Sequence, residues 1–143
     1  MSNGPHLLDV NVLIALTEEG HVNYRAAWKW FASPGLKWGL CAFSEAGYLR
    51  ITSNPSVGGY SVAEAVQVLA VLTKRAGYRY WPITSSWASL VEPFREKVFG
   101  HQQIADALLL GLAIKENGVL VTFDKAIRHL AGPKYAKHLL VLE

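Results

Sequence analysis

Short apolar segments alternate with helical ones along nearly the whole chain, and this alternation constrains the fold more than any other feature. Residues 7–10, 36–42, 78–83, 119–122 and 139–142 each read as a brief strand without the polar alternation of a half-solvated sheet. Strands apolar on both sides must be covered on both sides, and intervening helices supply the cover. The expected fold is therefore α/β, a three-layer α/β/α domain around a parallel sheet of about four to five strands.

Local signals place the helices. After the first strand, Asn11 can cap a helix over 12–16. Tyr24, Trp28 and Phe31 fall at i, i+4 and i+7, which marks one face of a helix over 21–32 and predicts core or a partner groove. Ser44 can cap the next helix, with Glu45 in its first turn. Ser61 followed by Glu64 forms a capping box ahead of a helix that ends near Gly77. Ser85 or Ser86 can cap another, which Pro93 limits or bends. Residues 101–116 read as a helix apolar on most sides, closed by Asn117 and Gly118, and Asp124 can cap a helix running to about Leu130.

The 143 residues, 51% of them hydrophobic, are enough for one domain spanning 1–143, with no repeat or linker. A net charge of +3 suits an anionic partner but is too modest to establish one. Cys41 is the lone cysteine, which excludes an internal disulfide or a cysteine-based zinc site and fits a reducing cytoplasm. No stretch has the length and apolarity of a membrane span, and the start of the chain is unlike a signal peptide.

Charges are scarce, and the placing of the acids is informative. The chain has three aspartates, Asp9, Asp106 and Asp124, each set in apolar sequence. Asp9 and Asp124 directly follow strands; Asp106 and Glu45 lie in the first turns of helices. In an open parallel sheet all four can meet beyond the carboxyl ends of the strands, where ligands bind. Like charges held together raise one another's pKa unless a divalent cation neutralises them, and an all-oxygen set suits Mg2+ or Mn2+. Metal-assisted phosphodiester hydrolysis is the chemistry such a site serves. Each acid alone also has a plain structural reading: Asp124 and Asp9 as caps, Glu45 as a stabiliser of its helix. Asp106 inside an apolar helix has the fewest such partners.

The segments Leu7-Leu8-Asp9-Val10-Asn11-Val12-Leu13, Gly100-His101-Gln102-Gln103-Ile104-Ala105-Asp106-Ala107-Leu108 and Val121-Thr122-Phe123-Asp124 together resemble a PIN domain, specifically the VapC-type toxins of bacterial toxin-antitoxin systems. The resemblance covers nearly the whole chain. It implies an endoribonuclease with Asp9 and Asp106 as principal Mg2+ ligands, Glu45 completing the pocket, and Asp124 binding a second metal or holding a water. Asn11 and Thr122 match supporting positions, and Arg50 a substrate contact. It also implies an RNA substrate cut by metal-activated water, a VapB-like antitoxin, a homodimer within the larger complex, and a cytoplasmic location.

His101 reads better as a capping or surface residue than as catalytic. Trp30 and Trp38 fall off the Tyr24, Trp28 and Phe31 face and are the tryptophans expected to be exposed. The antitoxin is expected on that aromatic face, directing an Arg or Lys toward Asp9 and Asp106. Two other functions fit less well. A phosphoacceptor receiver needs adjacent acids after its first strand, whereas Asp9 is followed by Val10. A catalytically inactive PIN-like scaffold binding RNA or protein would have no need of the acids.

Overall fold

The structure is a computed structural model that describes residues 4–98 and 100–143, and of Gln102 the backbone alone. Four parallel strands, β1 (His6–Leu8), β2 (Trp38–Gly39), β3 (Val119–Thr122) and β4 (Leu139–Val141), form one sheet in the order β2-β1-β3-β4. The pairing register aligns Leu7 with Leu120 and Leu120 with Leu139, and one step on Leu8 with Val121 and Val121 with Leu140. Because strand side chains alternate faces, the first row points to one helical layer and the second to the other.

The Leu8 row packs against α1 (Val10–Thr17), α2 (Tyr24–Phe31), α3 (Ala42–Thr52) and α4 (Val62–Leu72). The Leu7 row packs against α5 (Trp87–Val91), α6 (Ile104–Lys115) and α7 (Ile127–Tyr135). Two cores on opposite faces of the sheet make the expected three layers. In α6, seven consecutive residues from Ala107 to Ala113 are buried, which accounts for its lack of a polar face.

Several local readings need correction. The cap of α1 is Asp9, whose Oδ1 accepts the Val10 N–H at 2.7 Å; Asn11 lies inside the first turn. Helix α3 begins at Ala42 with Cys41 as its cap residue, while Ser44 is buried with its hydroxyl 3.4 Å from the Cys41 sulfur. The 78–83 segment runs along the outer edge of β2 through isolated parallel bridges, Trp38 to Tyr78 and Cys41 to Trp81. Pro82 lacks the N–H that would extend the pairing. Gly39 permits the close passage: a Cβ there would lie 1.9 Å from the Arg79 carbonyl oxygen. Helix α7 runs past Leu130 through a break at Gly132, φ 58°, and Pro133.

The capping box of Ser61 and Glu64 is present, Ser86 caps α5, and Asn117 at φ 53° ends the turn after α6. Trp38 is buried, against expectation, at the centre of an aromatic chain: Phe31 lies 4.8 Å and Tyr78 4.9 Å from it, ring centre to ring centre. On the Tyr24, Trp28 and Phe31 face, Phe31 is buried while Tyr24 and Trp28 are half-buried. Trp28 donates to the Leu16 carbonyl at 2.9 Å, and the Arg75 guanidinium sits over both Trp28 and Phe31. Among the described residues no helix is long and apolar enough to cross a membrane.

Candidate active site

From β1 the chain leaves toward β2 on one side, and from β3 it leaves toward β4 on the other. The carboxyl ends of β1 and β3 thus flank the point where strand order reverses, the crevice in which open α/β sheets bind ligands. Asp9 follows β1 directly, and Asp124 lies just past the end of β3, beyond Phe123.

A hydrogen-bond network ties these strand ends together. The Thr122 hydroxyl donates to Asp9 Oδ2 at 2.8 Å. Thr122 Oγ1 in turn accepts from Asn11 Nδ2 at 3.1 Å and from the Asp124 backbone N–H at 3.0 Å. Asn11 Oδ1 accepts the Phe123 N–H at 3.2 Å, and its amide reaches Asp9 Oδ2 at 3.4 Å. Both oxygens of buried Asp9 therefore accept hydrogen bonds, and the β3–α7 turn is held in a fixed relation to α1. Asp124 Oδ1 accepts the Ala126 N–H at 2.9 Å in a local turn.

The electrostatics bring in the third aspartate. Burial, and then the charges of Asp9 and Asp124, push the Asp106 carboxyl up to about 7. Burial also raises Asp9, against the opposing hydrogen bonds from Thr122 and Val10, with the Asp124 charge adding to the rise. Three aspartates from three elements thus share one field at the β1 and β3 edge. Glu45 is in the first turn of α3 as expected, but its carboxyl is raised by burial alone, and its charge bears on Tyr78. Arg50 is exposed in the last turn of α3, a roughly 7.5 Å rise along the helix from Glu45. His101 is exposed at the start of a short 3-10 turn ahead of α6.

The donor set is oxygen throughout, which fits a hard divalent cation. Among the described residues no three His, Cys, Asp or Glu side chains are gathered closely enough to form a ready cage. Mg2+ keeps several waters and takes one or two carboxylates plus substrate phosphate, so it does not require such a cage. The upward shift of Asp106 fits too, since a nearby cation would relieve the repulsion that contributes to it.

An open parallel α/β sheet with aspartates at its switch point defines a class of cation-binding α/β domains. The chain belongs to the PIN domain family, which it matches over residues 6–133. It is 41% identical over 131 residues to Ribonuclease VapC39 of Mycobacterium tuberculosis, covering 88% of this chain and 93% of that protein. It is 36% identical over 141 residues to Ribonuclease VapC38 of the same organism, covering 95% and 98%. Among solved structures it resembles VapBC2 from Rickettsia felis bound to a promoter DNA fragment, with a TM-score of 0.66 at 13% identity over 96% of this chain and 98% of that one. It also resembles VapC20 of Mycobacterium tuberculosis, described as a sarcin-ricin loop cleaving toxin, with a TM-score of 0.63 at 13% identity, covering 85% and 92%. At that identity the structural likeness is one of fold.

Proposed function

We propose that this protein is a Mg2+-dependent endoribonuclease, the toxin of a VapBC-type pair. The reading is supported chiefly by the placing of the three aspartates: Asp9 between β1 and α1, Asp124 in the β3–α7 turn, and Asp106 in α6 near enough for the charges of the other two to act on it. Its curated relatives bear the name ribonuclease, and the match runs through nearly their whole length.

In this reading Asp9 and Asp106 hold the cation and Asp124 stands beside them. When bound, Mg2+ would neutralise charge on the scissile phosphate and make a water more acidic. Thr122 and Asn11 fix the Asp9 carboxylate, so little reorientation is needed when substrate arrives. Asp124 Oδ1 is committed to the Ala126 N–H, which leaves Oδ2 to orient a water or accept its proton. Glu45 belongs to the wall of the pocket, and Arg50 to the outer path of the RNA.

A toxin of this kind requires a small antitoxin. That partner would lie along the half-buried Tyr24 and Trp28 and place a cation of its own, an Arg or Lys, in the acidic crevice. Its inhibition should weaken as Mg2+ rises. A homodimer inside the larger assembly completes the proposal.

The test is to incubate purified protein with assorted RNAs, with and without Mg2+. Cleavage that appears with Mg2+, disappears with EDTA and is absent in Asp106→Asn supports the reading. RNA binding without cleavage under every metal condition would replace it with that of a PIN-like scaffold.

A further inference from the structure

The end of the sheet opposite the aspartates carries a second feature. A groove of about 1350 Å3 runs across the amino ends of the strands, lined by Lys37 ahead of β2, His6 at the start of β1, and Lys137 and His138 ahead of β4, with Trp30 of α2 on its wall. Among the described residues no Asp or Glu lines it. Among the same residues the ion pairs are Arg95 with Glu92 and Arg128 with Glu143, so neither lysine of the groove is in one. Both lysines are exposed.

The two imidazoles are held in place. His6 Nδ1 is 3.0 Å from the Lys37 carbonyl oxygen and His138 Nδ1 is 2.8 Å from that of Gly118, so each ring donates through Nδ1 and turns Nε2 away from that bond. Trp30 meets His6 edge to face at 5.5 Å and is half-buried.

We propose that this groove binds a single-stranded stretch of the RNA substrate away from the cut site. The proposal rests on the ribonuclease reading above and extends it. The groove is open and runs along the edge of the sheet instead of closing around a small molecule, which favours a polymer. Lys37 and Lys137 stand at opposite ends of a four-strand row, about 14 Å apart at ~4.8 Å per strand. At roughly 3.4 Å per nucleotide a stacked strand presents about four phosphates over that length. Trp30 offers a ring to a base, and the two exposed lysines offer donors to phosphate. An acidic crevice repels the RNA it cuts, so affinity has to come from elsewhere on the surface. With strands of two to four residues the sheet is only about 7–13 Å deep, so one RNA chain can reach both edges.

The test uses the full chain and a labelled 2′-O-methyl oligouridylate, which cannot be cleaved, so binding is read by fluorescence anisotropy independently of catalysis. Lys37→Glu combined with Lys137→Glu should weaken binding on the order of tenfold at low salt and flatten the slope of log K against log salt by roughly 1.4, about 0.7 for each phosphate no longer neutralised. Lys37→Gln with Lys137→Gln should give an intermediate effect, and circular dichroism melting should be unchanged for both. Cleavage of a long RNA should show a higher KM with kcat preserved, while cleavage of a short oligonucleotide that fills only the acidic edge is unaffected. Undiminished oligonucleotide binding by the double Glu variant overturns the proposal. Loss of binding to a polyglutamate peptide, with the oligonucleotide still bound, reassigns the groove to an acidic protein segment. Loss of groove binding in a protein that cleaves no RNA would retain the groove and discard the nuclease.

Discussion

Asp106 concentrates the chemistry at the scale of single residues. Its carboxyl is raised in the folded protein to about 7, above the 3.8 of an unperturbed aspartate. A raised acid stabilises the fold fully below its unfolded pKa, and that contribution is lost as pH rises through the folded value. In metal-free protein this group should therefore lower stability progressively between about pH 4 and pH 7. Asp106→Asn should melt higher than the wild type at pH 8, with the gap closing at pH 4 and on addition of Mg2+. A gap independent of pH in thermal melts would refute the shared field. The same variant should lose cleavage altogether in Mg2+. Thr122→Val removes the donor to Asp9 Oδ2 and the acceptor for the Asp124 N–H, and should cost about 10–100-fold in Mg2+ affinity or activity, as removing the supports of metal ligands does. Thr122→Ser should recover most of it. Equal losses in both variants, measured by Mg2+ titration, would count against a positioning hydroxyl.

At the scale of elements, the outer edge of β2 depends on a close crossing. Any side chain at Gly39 meets the Arg79 carbonyl and the Trp81 ring. Gly39→Ala should cost at least about 1–3 kcal/mol in urea unfolding, the range of an overpacked core. Stability at the wild-type level would mean that the 78–81 segment can move away. Helix α4 offers a milder test, since Ser61 supplies half of a complete capping box. Ser61→Ala should cost about 1 kcal/mol and leave catalysis untouched.

Taken as a whole molecule, the protein should be stabilised by the cation that its crevice is suited to hold. A ligand that binds the native state alone adds about 2.7 kcal/mol at one hundred times its Kd, so the melting temperature should climb with Mg2+ concentration and fall back after EDTA. Melting indifferent to Mg2+ from micromolar to tens of millimolar would sink the metal site. The sheet places the acidic crevice and the basic groove at opposite ends of the same four strands, so charge is separated along the strand direction. The same polarity should make RNA association strongly dependent on salt.

The layered α/β architecture was legible in the residues alone, because strands apolar on both sides can be satisfied only by helices on both sides. The residues alone also single out three aspartates for attention, because acids set in apolar surroundings have few benign places to go. Helix ends were less legible. Asp9, Asn11, Cys41 and Ser44 can each cap or pair, and for Asp9 and Asn11 the outcome depends on a group more than a hundred residues away, Thr122. The burial of Trp38 was hidden for a related reason: helical spacing assigns faces to helices, whereas Trp38 lies on a strand whose outer neighbour is Tyr78. The brace through Thr122 and the groove across the strand starts exist only once the chain has folded. Each is a relation between side chains or strand ends brought together by the order β2-β1-β3-β4, and no local pattern encodes that order.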